Sequence, residues 1–333
     1  MESRFTAQYE DKIFPNVTGH DVAYDVMPTM EKKEHYKFLG SEEELKWFYR
    51  HCVFEPKPNE VFCFALAARN KKLTEAERQE YKLGRAEMLN TNIVSLRQDE
   101  KLTYRKWREG VLRFEVNKKA ITTKSGLSYP DKATVVYYYF HTSDEVKVLA
   151  EGAKYISDIN QELINAAVKG SQEGVNMSLK KLKYAMVNVE RMHARCPGTK
   201  KFVDFDMDIE PAYIDKFKYN VILNNLADRL DEYFGIKNYF IIDTSGGFHI
   251  LVKKEAIKGS PIKFTSDVCK DVELEVSNYD KVINESGYTV PVIKEFNINK
   301  NNLIPLPGTF QYGRLVKVIN KGDFKDEDRE MDN

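Results

Sequence analysis

The chain has 333 residues, 42% of them hydrophobic and 31% charged, with 19 Phe and 19 Tyr. That much apolar surface excludes a disordered chain, since burying it offsets the entropy of ordering, and the length suits two compact units or one large one. Lys+Arg 51 against Asp+Glu 51 gives a formal net charge of zero, which argues against a protein that simply coats nucleic acid while leaving room for a local basic groove.

No apolar run reaches the ~18 residues that a spanning helix needs. The amino-terminal MESRFTAQYEDKIF lacks the apolar core of a secretory signal. A cytoplasmic protein without membrane contact is expected, in the host cytoplasm if the protein is viral. Cys52, Cys63, Cys196 and Cys269 are scattered, with no CxxC pair, so reduced thiols and no zinc site are expected.

In chain order, residues 1–40 form an amino-terminal extension, followed by a mixed α/β module over 41–195. Ser41 with Glu44, Thr74 with Glu77 and Thr142 with Glu145 have capping-box spacing. They predict helices near 42–51, 75–90 and 143–168, and a further helix is expected near 176–195. Between them VFCFALAAR (61–69), VLRFEV (111–116) and ATVVYYYF (133–140) predict strands. Basic and aromatic residues interleave at Tyr104, Arg105, Lys106, Trp107 and Arg108, then at Arg113, Phe114, Lys118 and Lys119. Such a set offers cations to phosphates and rings to bases; the alternative is a solvated helix face whose rings point inward. Lys180, Lys181, Lys183, Arg191, Arg195, Lys200 and Lys201 form a second basic cluster opposed by Glu190 alone.

A second module is expected over 196–320 and an acidic, disordered tail over 321–333. KFVDFDMD (201–208) predicts a strand, and Pro211 opens a helix that Gly235 closes. NYFIID (238–243) and FHILVK (248–253) predict a hairpin across Thr244-Ser245-Gly246-Gly247, and LVKVI (315–319) a further strand. The fold class is therefore α/β of the α+β kind: a βαββ sheet with helices on one face.

Side chains alternate on a strand, so Asp204 and Asp206 share one face about 6–7 Å apart. Neighbouring carboxylates call for a cation between them, and a hard divalent ion such as Mg²⁺ is the economical one. A solvated acidic strand end is the bland alternative. In the turn that follows, Gly246 and Gly247 allow backbone N–H groups to converge on an anion, and Ser245 and His249 add side-chain donors. An ordinary hairpin is the alternative there.

These residues resemble the archaeo-eukaryotic primase superfamily, which includes primase small subunits and primase-polymerases. Its Asp-x-Asp strand is matched by Asp204 and Asp206, and its Ser-Gly-x-x-His turn by Ser245, Gly246 and His249. Asn301-Asn302-Leu303-Ile304-Pro305-Leu306-Pro307-Gly308-Thr309 is similar to its Leu-Pro-Gly-Thr element. The resemblance implies a primase-polymerase core, with a βαββ sheet like that of RNA-recognition motifs packed on the amino-terminal module. It implies catalytic and metal-holding roles for Asp204, Asp206 and a third acid, with Mg²⁺ or Mn²⁺. Glu295 is the nearest third acid, with Asp271 and Asp280 as the others. Ser245, Gly246, Gly247 and His249 would hold the nucleotide triphosphate. Several members carry basic residues where Pro305 and Gln311 stand; here either Arg314 or Lys317 replaces that contact, or it is missing. The implied partners are a single-stranded DNA template, ribo- or deoxynucleoside triphosphates and other replication proteins. A catalytically silent nucleic-acid-binding or replisome scaffold is the alternative, and a metal-dependent nuclease a third reading that leaves the turn without a task.

Overall fold

A computed structural model describes residues 38–83, 86–97, 100–114, 129–277, 279, 282–283, 287–300 and 302–324. Lys118, Lys119, Asp280, Asn301, the extension as far as residue 37 and the tail from 325 lie outside the described residues. The protein is mixed α/β, with helices packed on two antiparallel sheets.

The first sheet grows around β1 (Glu60–Arg69), which pairs with β2 (Ala86–Val94) on one side and β3 (Thr134–Tyr139) on the other. The β1 sequence is a continuous apolar run because both faces are covered. Phe62, Phe64 and Leu66 face α1 (Glu42–Cys52) and α3 (Tyr104–Leu112), while Cys63, Ala65 and Ala67 pack with Tyr137, Tyr139 and Tyr312. Ser41 caps α1, its hydroxyl accepting from Glu44 N, and Thr74 with Glu77 closes a capping box on α2 (Glu75–Tyr81).

Several local expectations change. The helix expected over 75–90 stops at Tyr81, because Lys82 turns left-handed (φ 49°) and the chain returns as β2 beside β1. Val111 and Leu112, expected in a strand, end α3 instead: Tyr104, Trp107 and Val111 form its buried face at helical spacing. Asp144, not Thr142, caps the long helix α4 (Glu145–Val168), since the Thr142 hydroxyl is taken by Glu60 Oε2 at 2.8 Å. The helix expected near 176–195 divides into α5 (Gln172–Lys183) and α6 (Ala185–Arg191). Short β4 (Ser143–Asp144) pairs with the start of β1.

The second sheet has the order β12-β6-β7-β5-β8. It is built from β5 (Phe202–Ile209), the hairpin β6 (Tyr239–Asp243) and β7 (Gly247–Lys253), β8 (Ile293–Ile298) and β12 (Lys317–Val318). On one face Phe205, Met207 and Ile209 pack against α8 (Leu223–Phe234) and α9 (Pro261–Val276). Pro211 opens α7 (Pro211–Phe217), and a π-helical turn, Lys218–Ile222, joins it to α8. On the other face Phe202, Phe240, Ile242 and Leu251 enter the first core, where the Phe240 ring meets Trp47 edge-on at 6.0 Å. The rest of that face, at the other end of β5, carries the acids.

Residues 303–315, expected within the second module, complete the first sheet instead. There β9 (Leu303–Pro305) and β10 (Phe310–Gln311) pair with β3, and β11 (Arg314–Leu315) pairs with β10. Gly308 makes the crossing possible: its φ is +88°, and a Cβ there would stand 2.7 Å from Ser41 O. The strand expected over 315–319 is thereby split, one half in each sheet. Among the described residues no helix is long and apolar enough to cross a membrane.

Candidate functional site

The acids follow Phe202, the β5 residue that enters the first core. Asp204, Asp206 and Asp208 alternate with Phe205, Met207 and Ile209, whose burial fixes the register, so all three carboxylates face away from α8 and α9. Strand pairing sets His249 opposite Asp206, with Asn297 opposite it on the other side and Glu295 opposite Asp208. Glu295 thus shares the acidic face, although it is exposed and its Oε1 accepts from Asn297 Nδ2 at 3.0 Å. Asp271 does not belong here: it is bidentate to Arg229 on α8, at 2.6 and 3.2 Å.

Asp204 is buried and heavily engaged. Its Oδ2 receives His249 Nδ1 at 3.0 Å and Asn299 Nδ2 at 2.6 Å. The same imidazole reaches Asp206 Oδ1 through Nε2 at 3.4 Å. His249 therefore bridges the two aspartates, where the sequence expected it on a triphosphate. Burial alone would lower its pKa, but the carboxylates of Asp206 and Asp204 outweigh that and hold it at about 9. Burial pushes Asp206 up, with Asp204 and Asp208 adding to the rise and His249 opposing it. A third of the Asp206 side chain stays exposed.

The turn between β6 and β7 lies at the end of this row. Gly247 is needed for packing: a Cβ there would fall 1.8 Å from Met207 O, so only glycine lets β7 approach β5. The Ser245 N–H, expected to meet an anion, donates to Gln311 Oε1 at 2.8 Å, and the Gly246 carbonyl accepts from Ile209 N at 2.9 Å. Gly246 and the Ser245 side chain remain partly exposed at the mouth.

Cations gather around that turn from both modules. Lys71, in the bend after β1, has its Nζ 2.9 Å from Asp208 Oδ1 and 3.3 Å from where a Gly246 Cβ would be. Lys72 follows, its pKa lowered by partial burial and by its neighbours Lys71 and Arg314. Arg314 arrives from β11, its Nη2 3.7 Å from Asp243 Oδ2, while Lys317 is exposed opposite Asp243 on β12. Sequence reasoning found Arg314 but missed Lys71, Lys72, Asp208 and Asn299. The Asn-Lys-Lys bend before a capped helix carries no motif of its own, and only the meeting of the two modules brings it to β5.

The basic-aromatic cluster of α3 does not form a stacking surface. Tyr104, Trp107 and Phe114 are buried in the first core, Arg108 pairs with Glu42 at 2.6 Å, and Lys106 pairs with Glu100 at 2.5 Å. In the second cluster Lys180, Lys181 and Lys183 lie in the exposed last turn of α5, where Lys181 meets Glu162 at 2.6 Å. The cysteines are free, with Cys52, Cys63 and Cys196 buried.

The donor set on β5 and β8 suits a hard divalent cation in its chemistry, because it offers carboxylate oxygens on one face. The arrangement as folded is looser than a closed metal site: among the described residues no three His, Cys, Asp or Glu side chains converge closely enough to hold one. The positive charge between Asp204 and Asp206 comes from His249. Compared with family models, curated proteins and solved structures, the chain matches none.

Proposed function

We propose that this protein is a template-directed nucleotidyltransferase of the primase or primase-polymerase kind. The observation that carries the reading is the adjacency of two opposite charge sets: the row Asp204, Asp206 and Asp208 with Glu295, and the cations Lys71, Lys72 and Arg314 around the turn at its end. A carboxylate row beside a cationic mouth suits a metal–nucleotide substrate, whose phosphates and metal need opposite partners a few ångströms apart.

Asp204 and Asp206, with Glu295 or Asp208, would hold Mg²⁺ or Mn²⁺. A divalent ion bound there would make the attacking hydroxyl more acidic and would shield the charge of the leaving group. Lys71, Lys72, Arg314 and the Ser245 hydroxyl would receive the triphosphate. The 3′-hydroxyl would lose its proton to water as its oxygen bonds to the α-phosphorus and the bond from that phosphorus to the bridging oxygen breaks, and pyrophosphate would depart toward these cations. Single-stranded DNA is the proposed template, and either ribo- or deoxynucleotides the substrate.

One observation favours a second reading, a catalytically silent nucleic-acid-binding relative. His249 already neutralises the aspartates, and such a protein has no need of a metal. Primer synthesis on single-stranded template with labelled nucleotides and Mg²⁺ or Mn²⁺ decides between them. Incorporation that Asp204→Asn abolishes supports the enzyme; template binding without incorporation under either metal overturns it.

A further inference from the structure

Beneath the turn lies a polar chain that no catalytic role accounts for. Lys218, in the π-helical turn, is fully buried. Its Nζ donates to Asp243 Oδ1 at 2.6 Å and to Thr244 O at 2.5 Å, and it lies 4.9 Å from the centroid of the Phe248 ring. Tyr219, the next residue, donates its hydroxyl to Asp243 Oδ2 at 2.8 Å, and Arg314 donates in turn to that hydroxyl oxygen. Successive residues of an α-helix point about 100° apart. The wider π turn, closed by Leu223 N on Lys218 O, is what lets both Lys218 and Tyr219 reach one carboxylate.

A buried ion pair adds little net stability, so its retention calls for another reason, and fixing one conformation is the best attested. Here the pair ends on two outputs: the buried Thr244, which opens the turn, and the partly exposed Arg314 at its mouth. We propose that Tyr219 is a positioning residue, which, seated on the Lys218–Asp243 pair, holds the Arg314 guanidinium ready for the terminal phosphates of a polyphosphate ligand. This rests on the nucleotidyltransferase reading and adds to it the group that preorganises the phosphate seat. Without the hydroxyl, Arg314 would face Asp243 with no bridge between them and would sample other rotamers. The Tyr219 phenol is pushed up to about 12 by burial and by its bond to Asp243, with Arg314 opposing, so it remains a donor at neutral pH.

The test is a double-mutant cycle on the full chain, with sodium tripolyphosphate as the probe in calorimetric titrations and thermal melts run in parallel. Tyr219→Phe keeps the ring and should weaken tripolyphosphate binding by roughly five- to twentyfold with little change in melting temperature. Arg314→Gln should weaken it at least as much, and the double variant no further, because the hydroxyl acts through the guanidinium. Parental affinity in Tyr219→Phe, or additive losses in the double variant, overturns the positioning role while leaving the nucleotidyltransferase reading standing. A parent protein that does not bind tripolyphosphate at all overturns the phosphate seat, and the inference with it.

Discussion

Lys71 Nζ lies 2.9 Å from Asp208 Oδ1, an ion pair that fastens the bend after β1 to the acidic strand of the other sheet. The two residues are 137 positions apart in the chain. Both ends are partly exposed, at 41% and 30%, so the pair is worth at most about 1 kcal/mol of stability. Its consequence is positional: it holds a cation over Gly246.

Lys71→Ala with Lys72→Ala should therefore leave the melting temperature nearly unchanged. Nucleotide affinity should fall by about tenfold or more, and its salt dependence should flatten, since two charges that meet phosphate are gone. Titrations at two ionic strengths check this, and an unaltered salt slope would remove both lysines from the site.

His249 and the buried His141 and His193 make opposite pH limbs in metal-free protein. The folded pKa of His249, about 9, is above its unfolded value, so its contribution is fully present below about 6.5 and lost as pH rises through 9. His141 and His193 are held neutral by burial, at about 3 and about 4. Their contribution is present above about 6.5 and lost as pH falls toward those values. Thermal melts from pH 4 to 10 in the presence of chelator should show both limbs, and His249→Gln should remove the alkaline one alone.

His249→Ala should lower the melting temperature without metal, because Asp204 and Asp206 lose the charge between them. A histidine at the exposed mouth of a hairpin would have left folding untouched; this one is buried at 8%. Added Mg²⁺ or Mn²⁺ should restore part of the loss if the aspartates bind the ion, and no metal-dependent recovery would count against that role.

The two glycines of the turn should behave differently. Gly247→Ala drives a methyl group into Met207 O and should prevent β7 from pairing with β5, a severe loss of folded protein. Gly246→Ala meets only side-chain ends, Lys71 Nζ at 3.3 Å and Asp208 Oδ1 at 3.5 Å, and should fold. Circular dichroism and expression of soluble protein distinguish them.

What was legible in the sequence was local. Hydrophobic runs and caps specify β1, β3, α1 and the β5–β7 unit, because alternation and helix-start chemistry act within a few residues. The alternation of KFVDFDMD alone sets its acids on one face, and Arg314 was within reach as a basic residue following the Leu-Pro-Gly-Thr stretch. Only the tertiary structure decided the rest, because each remaining feature depends on a partner far along the chain. Residues 303–315 return to the first sheet through pairing with β3, and α9 and β8 are defined by packing on and beside β5. His249 became a counter-ion through strand register, and Lys71 reached the acids through the meeting of two modules. Electrostatic energy depends on distance in space, and distance along the chain says little about it.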